Sequence, residues 1–232
     1  MTRSLQAIIF DFDGVIANSE PLHFDAFQQT LAEDGLLFTK EEYFTRYLGF
    51  DDVGLFQNLA RDRELPMSEG QIATLVARKG VKLQEMLKSG HVVFPGALDF
   101  IRAAAAAVPI AIASGALRHE ITEIIDGAGI AQLFSAIVAA GDTPKSKPSP
   151  APYVLAFEQL RRASGKNLDA DRCVAIEDSR WGIESAKGAG LRCVGVTHSY
   201  ASDALPGAEL LVPTIKDLTL AALDELCSTP VR

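Results

Sequence analysis

The chain has 232 residues, 48% of them hydrophobic, and its 22 basic and 30 acidic residues give a formal net charge of −8. This size supports a folded core of one or two domains, and the negative charge argues against a protein that binds nucleic acid or anionic membranes. Apolar runs such as 108–113 are too short to span a bilayer, and we expect no signal peptide. The three cysteines lack metal-ligand spacing. We therefore expect a cytoplasmic protein with reduced thiols, and we take it to be a monomer.

The first predicted strand, Ala7–Phe10, leads directly into Asp11-Phe12-Asp13-Gly14. A strand projects residues i and i+2 to the same side, so Asp11 and Asp13 can converge on one small volume. Two acids that close suit either a divalent cation or a nucleophile with its acid/base partner. A simple turn made by Asp and Gly is the alternative.

Residues 18–92 contain helical patterns and no convincing strand. An all-helical stretch inserted after the first strand predicts a second domain at 18–92, separate from a main domain formed by 1–17 and 93–232. Pro95-Gly96 marks the return to the main domain. The predicted helices of this segment are Leu22–Glu33, Lys40–Tyr47, Val53–Arg61, Ser68–Ala77 and Val81–Lys88.

From residue 97 onward, predicted helices and strands alternate. This alternation predicts an α/β fold with a parallel sheet covered by helices on both faces, in which ligands gather at the carboxyl ends of the strands. The predicted strands are Ile110–Ala113, Ala136–Ala139, Cys173–Ile176, Cys193–Val196 and Leu210–Val212, and the predicted helices are Ala97–Ala107, His119–Ala128, Ala151–Ala163, Gly182–Gly188 and Leu218–Leu226.

A hydroxyl follows the first of these strands, and two lysines follow the second. Ser114-Gly115 can offer a hydroxyl and backbone N–H groups to a phosphate oxygen, although ordinary turn or helix-cap chemistry is the alternative. The proline-rich segment 141–150 carries Lys145 and Lys147, either of which can place a point charge against a phosphoryl group and carboxylates. Solvation at the surface is the alternative for both lysines.

Two adjacent acids, Glu177 and Asp178, follow the predicted strand Cys173–Ile176. Acids at the end of a buried strand are costly unless they bind something positive, which favours a metal role over a helix-cap role. Together with Asp11 and Ser114, they predict one site built at the ends of several parallel strands.

This arrangement resembles the haloacid dehalogenase superfamily of phosphohydrolases over nearly the whole chain. The motifs that carry the resemblance are Asp11-Phe12-Asp13-Gly14, Ser114, Lys147 before Pro148, and Glu177-Asp178. Further residues resemble the branch that holds phosphoglycolate-phosphatase-like and β-phosphoglucomutase-like enzymes, namely the run Asn18 to His23, Pro95-Gly96, Gly182 and Gly190. The resemblance implies a Rossmann-like α/β core with an inserted helical cap at 18–92.

The resemblance also implies a mechanism. Asp11 would be the nucleophile that takes the phosphoryl group, and Asp13 would be the general acid and base. Ser114, the N–H of Gly115 and Lys147 would bind the phosphate.

The cofactor implied by the resemblance is Mg²⁺. Its ligands would be Asp11, the backbone carbonyl of Asp13, and Asp178. Glu177 would either bind the ion directly or contact one of its ligands.

The cap segment would exclude water and select the substrate. His23 and Lys79 would contact the substrate from the cap, or His23 would position Asp13; a partly exposed histidine and a solvated lysine are the alternatives.

A phosphatase of small phosphorylated metabolites, such as a sugar phosphate, is the favoured activity. A mutase of the β-phosphoglucomutase type must grip two phosphates, yet Leu48-Gly49-Phe50-Asp51-Asp52-Val53 has acids where that pattern carries an arginine. The Ser-Glu-Pro-Leu-His run at Ser19–His23 also favours the phosphatase. A phospho-aspartate signalling domain is a distant alternative, because such domains are shorter and lack an inserted cap.

Overall fold

The computed structural model describes residues 4–47, 50–87, 92–197 and 205–229. The chain divides into two compact units, which we call the core unit (Met1–Asn18 with Gly90–Arg232) and the helical unit (Ser19–Ser89). Among the described residues, no helix has both the length and the apolar character needed to cross a membrane. In chain order the α-helices are α1 (Glu20–Glu33), α2 (Lys40–Glu42), α3 (Asp52–Asp62), α4 (Glu69–Leu87), α5 (Ala97–Ala107), α6 (Arg118–Gly127), α7 (Ala151–Ser164), α8 (Arg180–Gly188) and α9 (Leu220–Ser228).

The core unit is built on one sheet of six strands, all of them parallel. Their spatial order is β3-β2-β1-β4-β5-β6, so β1 lies in the middle between β2 and β4. The strands are β1 (Ala7–Phe10), β2 (Ile110–Ala113), β3 (Phe134–Val138), β4 (Cys173–Glu177), β5 (Arg192–Val196) and β6 (Leu210–Val212). The predicted α/β fold with a parallel sheet is confirmed, although β3 begins two residues before its predicted start.

Both faces of this sheet are covered by helices, which explains why its central strands are apolar throughout. On one face, Ile9 belongs to a buried cluster with Tyr153 and Leu160 of α7 and Ile183 of α8. On the opposite face, Phe10 packs edge-on against Phe100 of α5, with ring centroids 6.1 Å apart. Alternation along β1 therefore sends successive side chains into two different packed layers.

The helical unit packs around aromatic side chains. Phe27 of α1 contacts Tyr43 and Phe56, with ring centroids 5.8 and 5.3 Å apart. Tyr43 begins a π-helical turn, Tyr43–Tyr47, which directly continues α2. The predicted helix over 40–47 is therefore present as two short helical segments.

One predicted break in this unit is wrong. The sequence predicted separate helices at 68–77 and 81–88, but the described residues form a single helix, α4, through Gly80; residue 88 lies outside the described residues. A glycine inside a helix costs only about 1 kcal/mol relative to alanine. Buried side chains keep helical spacing on both sides of it, at Ile72, Leu75, Lys79, Leu83 and Leu87.

Candidate active site

Asp11 follows β1 directly, and the backbone fixes its position at the edge of the sheet. Its N–H donates to the carbonyl of Ile176 on β4 at 2.9 Å, and the N–H of Phe12 donates to Asp11 Oδ1 at 2.7 Å. Gly14 then turns the chain with φ +76°, and a side chain at that position would overlap the carboxylate of Asp178. The turn after β1 can therefore approach the Asp178 carboxylate this closely only because residue 14 is a glycine.

Glu177 ends β4, is completely buried, and is held by five protein donors. Its Oε1 accepts from Lys147 Nζ at 2.6 Å and from the Tyr153 hydroxyl at 2.8 Å. Its Oε2 accepts from the N–H groups of Asp178 and Ser179, both at 3.2 Å, and from the Ser179 hydroxyl at 3.0 Å. Because an ionised carboxylate offers about four lone-pair sites, Glu177 is already saturated by the chain itself.

Lys147 connects the two acidic strand ends. Its Nζ lies 2.8 Å from Asp11 Oδ1 and 2.6 Å from Glu177 Oε1, and 5.0 Å from the centre of the Tyr153 ring. Burial favours the neutral amine, yet the two carboxylates outweigh it and raise the pKa of Lys147. Surface solvation, the alternative for this lysine, is therefore wrong, whereas Lys145 is exposed.

Negative charge exceeds positive charge in this cluster. Asp11, Glu177 and Asp178 are all buried and each offers an oxygen within 4.8 Å of the others, while Lys147 supplies one ammonium. Burial and the nearby charge of Glu177 raise the pKa of Asp11, although Lys147 opposes this. Convergent carboxylate oxygens with excess negative charge fit a hard divalent cation such as Mg²⁺.

The predicted phosphate-binding residues line one cavity of about 230 Å³ in the core unit. Ser114, Gly115 and Lys147 contribute to its wall together with the chain that follows β3. Ser114 is buried, its N–H donates to Val138 of β3 at 2.9 Å, and its Oγ accepts from the N–H of Ala116 at 3.0 Å. Ser114 thus makes the predicted turn contact and also faces the cavity that holds the lysine.

Asp13 lies two residues beyond β1 and is partly buried. Among the described residues, its side chain is not a member of the Asp11, Glu177 and Asp178 cluster. The resemblance assigned its backbone carbonyl, not its carboxylate, to the metal, so this arrangement leaves that prediction open.

His23 and Lys79 lie in the helical unit and form a cluster of their own. Lys79 Nζ is 2.8 Å from Asp52 Oδ1 and 3.0 Å from His23 Nδ1, and it sits 4.7 Å from the centre of the Phe27 ring. The Lys79 side chain is only 1% exposed, so the alternative of a solvated surface lysine is wrong. Burial, together with the Lys79 charge, lowers the pKa of His23 to about 3, which keeps the ring neutral at pH 7.

Two residues in these clusters were missed by the sequence reasoning. Tyr153 was assigned only to a helix, yet its buried hydroxyl reaches Glu177; its position six residues after Lys147 is the one available signal. Asp52 was interpreted as an acid facing a phosphate, yet it pairs with Lys79, while Asp51 caps α3 by accepting from the N–H of Gly54 at 2.7 Å.

Comparison with known proteins places the chain among related hydrolases. A family model described as haloacid dehalogenase-like hydrolase matches residues 5–190. Protein CbbY of Rhodobacter capsulatus is 33% identical over 96% of this chain and 99% of its own length. The phosphorylated carbohydrates phosphatase of Thermotoga maritima is 29% identical over 84% of this chain and 87% of its own length.

A solved structure agrees with these relatives. A crystal structure of a mutant CbbY from Rhodobacter sphaeroides in complex with xylulose-(1,5)bisphosphate has a TM-score of 0.80 and 28% identity, covering 95% of this chain and 99% of that one. The family match runs from the start of β1 to beyond α8 and so includes every strand end that builds the acidic cluster. The chain therefore belongs to the haloacid dehalogenase-like hydrolase family, which confirms the family and the enzyme class that the sequence predicted.

Proposed function

We propose that this protein is a Mg²⁺-dependent phosphatase that hydrolyses a small phosphorylated sugar through an aspartyl phosphate on Asp11. The observation that carries the proposal is Lys147, which is held between Asp11 and Glu177 and also lines the cavity with Ser114 and Gly115. A cation in that position can neutralise a phosphoryl group next to the nucleophile. The names of the relatives, a phosphatase of phosphorylated carbohydrates and a CbbY protein with a bound sugar bisphosphate, support the substrate class.

The reaction would proceed in two displacements at phosphorus. A carboxylate oxygen of Asp11 attacks the phosphorus, the bond to the sugar oxygen breaks, and Asp13 gives its proton to that leaving oxygen. Asp13 then takes a proton from water, the water oxygen attacks the phosphorus of the aspartyl phosphate, and inorganic phosphate leaves as Asp11 is regenerated. Lys147, the Ser114 hydroxyl and the N–H of Gly115 bind the phosphoryl oxygens throughout.

The magnesium ligands would be Asp11, Asp178 and the backbone carbonyl of Asp13. When bound, Mg²⁺ offsets the charge repulsion between the acidic cluster and the incoming phosphate. Glu177 is one of the three clustered acids, but its oxygens already accept from five donors. We therefore assign Glu177 to the positioning of Lys147, and not to direct contact with the metal.

The helical unit would act as the cap that selects the substrate, with His23 and Lys79 as its candidate contacts. Asp52 neutralises the charge of Lys79, and Asp51 caps α3. These three side chains together therefore have no excess positive charge with which to bind a second phosphate. This balance favours a phosphatase over a β-phosphoglucomutase-like mutase, which needs a second phosphate grip. Leu48 and Gly49, which were part of the same comparison, lie outside the described residues.

The test is phosphate release from a panel of sugar phosphates, measured with Mg²⁺ and with EDTA. The panel contains xylulose 1,5-bisphosphate, xylulose 5-phosphate, and β-glucose 1-phosphate with a trace of its bisphosphate. Release of phosphate that requires Mg²⁺ supports the proposal and ranks the substrates. Formation of glucose 6-phosphate without net phosphate release would replace it with the mutase.

Asp11→Asn is the variant that links this activity to the proposed nucleophile. Loss of a nucleophile that acts together with its partners lowers kcat by at least about 10⁴-fold. The matched control is Asp126→Asn on α6, an exposed aspartate in the same unit. Substantial phosphate release by purified, folded Asp11→Asn would contradict the assignment.

A further inference from the structure

One buried hydroxyl in the acidic cluster has no place in the reaction described above. Tyr153 lies in the first turn of α7 and is fully buried, and its hydroxyl donates to Glu177 Oε1 at 2.8 Å. The same oxygen accepts from Lys147 Nζ at 2.6 Å, and the ammonium lies 5.0 Å from the centre of the Tyr153 ring. Tyr153 therefore contacts Lys147 and also Glu177, one of the two acids that hold the lysine.

The lysine is shared between two acids, and its position between them matters. Lys147 Nζ lies 2.6 Å from Glu177 Oε1 and 2.8 Å from Asp11 Oδ1. Glu177 is completely buried and gains nothing from water, so the charge on Oε1 can be satisfied only by these two donors. If the hydrogen bond from Tyr153 is lost, Lys147 is the only remaining donor to Oε1.

We propose that Tyr153 is a positioning residue, whose hydroxyl satisfies part of the charge on Glu177 and thereby leaves Lys147 available to Asp11 and to the bound phosphate. This inference rests on the proposed phosphatase function, because it assigns Lys147 to phosphate binding. Tyr153 acts through its contacts with Glu177 and Lys147. The aromatic ring contributes separately, by forming one wall around the ammonium.

Tyr153→Phe removes the hydroxyl and keeps the ring. Glu177 Oε1 then depends on Lys147 alone, so the ammonium is drawn toward Glu177 and away from Asp11. Because a hydrogen bond to a charged group commonly contributes enough to change an equilibrium by about tenfold, we expect inorganic phosphate to bind about tenfold more weakly and kcat/KM to fall by about as much.

The matched control is Tyr47→Phe in the helical unit. Tyr47 is also a buried tyrosine whose hydroxyl donates to a carboxylate, Asp62 Oδ2, at 3.1 Å. Both variants lose one hydroxyl-to-carboxylate bond, so a general loss of stability is common to both. Only Tyr153→Phe should weaken the binding of inorganic phosphate, measured by calorimetry in the presence of Mg²⁺ at a temperature where thermal melts show every protein folded.

A double substitution tests the route through Glu177. In the Glu177→Gln background the oxygen no longer carries a full charge, so adding Tyr153→Phe should change phosphate affinity by less than about twofold. An equally large loss in both backgrounds would overturn the proposed route. Should Glu177→Gln fail to fold, unchanged phosphate affinity in Tyr153→Phe alone would still overturn the proposal.

Failure of this inference can be distinguished from failure of the proposed function. If the wild-type protein binds inorganic phosphate but hydrolyses no member of the sugar phosphate panel, the proposed function is wrong. The phosphate affinities of Tyr153→Phe and Tyr47→Phe still decide the role of Tyr153 in that case. A wild-type protein that binds no phosphate overturns both.

Discussion

The two units of the chain each bury a lysine among acids, and they balance its charge differently. In the helical unit, Lys79 is 1% exposed and pairs with one carboxylate, Asp52, while its other polar partner, His23, is held neutral. In the core unit, Lys147 is 13% exposed and contacts two carboxylates, Asp11 and Glu177, with Asp178 close to both acids.

This difference indicates which of the two clusters is electrically balanced by the protein's own side chains and which needs a bound cation. Lys79, Asp52 and the neutral His23 together carry no net charge, so the buried ammonium has the charge partner it requires. The Lys147 cluster keeps an excess of negative charge, which raises the pKa of Asp11 and would be relieved by a cation. We therefore expect Lys147 to bind the phosphoryl group, and Lys79 to be chiefly structural through its pair with Asp52, with only a minor contribution to substrate selection.

Replacing each lysine by methionine tests this contrast most severely. Loss of one donor to a phosphoryl group lowers turnover by about 10²–10³-fold, so Lys147→Met should nearly abolish phosphate release. Lys79→Met should lower it by no more than about tenfold, because the methionine fills the apolar space over Phe27 and the partly exposed Asp52 can be hydrated. Steady-state kinetics on folded protein measures both. Equal losses from the two substitutions would contradict the contrast.

Acid should destabilise the helical unit through His23. The folded pKa is about 3, against 6.5 for an ordinary histidine, so the unfolded chain binds the extra proton first as the pH falls. Stability from neutral His23 is thus fully present above pH 6.5 and is lost at about 1.4 kcal/mol per pH unit as the pH falls toward 3.

The measurement is denaturant unfolding between pH 7 and pH 4 for the wild type and His23→Asn. The nearby groups Glu20, Asp52 and Lys79 are common to both proteins, so their contributions cancel in the difference. We expect a shallower pH dependence in His23→Asn. Parallel curves for the two proteins would show that His23 does not carry this effect.

Magnesium should stabilise the protein through the core cluster. At ten times its dissociation constant, a ligand that binds only the folded state adds about 1.4 kcal/mol to the free energy of unfolding. We expect MgCl2 to raise the Tm of the wild type and of the control Asp126→Asn, compared with KCl at the same ionic strength. The rise should disappear in Asp178→Asn, and a rise that persists there would place the cation elsewhere.

The strands and the acidic cluster could be predicted because they depend on local sequence and on one property of parallel sheets. Short runs such as Ala7–Phe10 and Ile110–Ala113 are apolar throughout, and the structure has strands with those bounds. Since all strands of a parallel sheet end at the same edge, polar residues after β1 and β4 must meet there.

Partnerships across long stretches of chain could not be predicted in the same way. Asp52 and Lys79 are 27 residues apart, and Tyr153 and Glu177 are 24 residues apart, so no local pattern joins them. The sequence therefore indicated that Glu177 is functional without showing that its oxygens are already taken. The helix break predicted near Gly80 is wrong for a different reason. The packing of buried residues on both sides of Gly80 outweighs its weak helix propensity.

Two glycines, Gly14 and Gly182, provide the space that the carboxylates of the acidic cluster occupy. A side chain at position 14 would occupy the space of the Asp178 carboxylate, and one at position 182 would occupy that of Glu177. Anyone who transplants this cluster into another parallel sheet must therefore copy the empty space at these two positions together with the acids and the lysine. In an alanine scan, substitutions at Gly14 and Gly182 should therefore disturb the cluster as strongly as substitutions of the acids, although neither residue has a side chain.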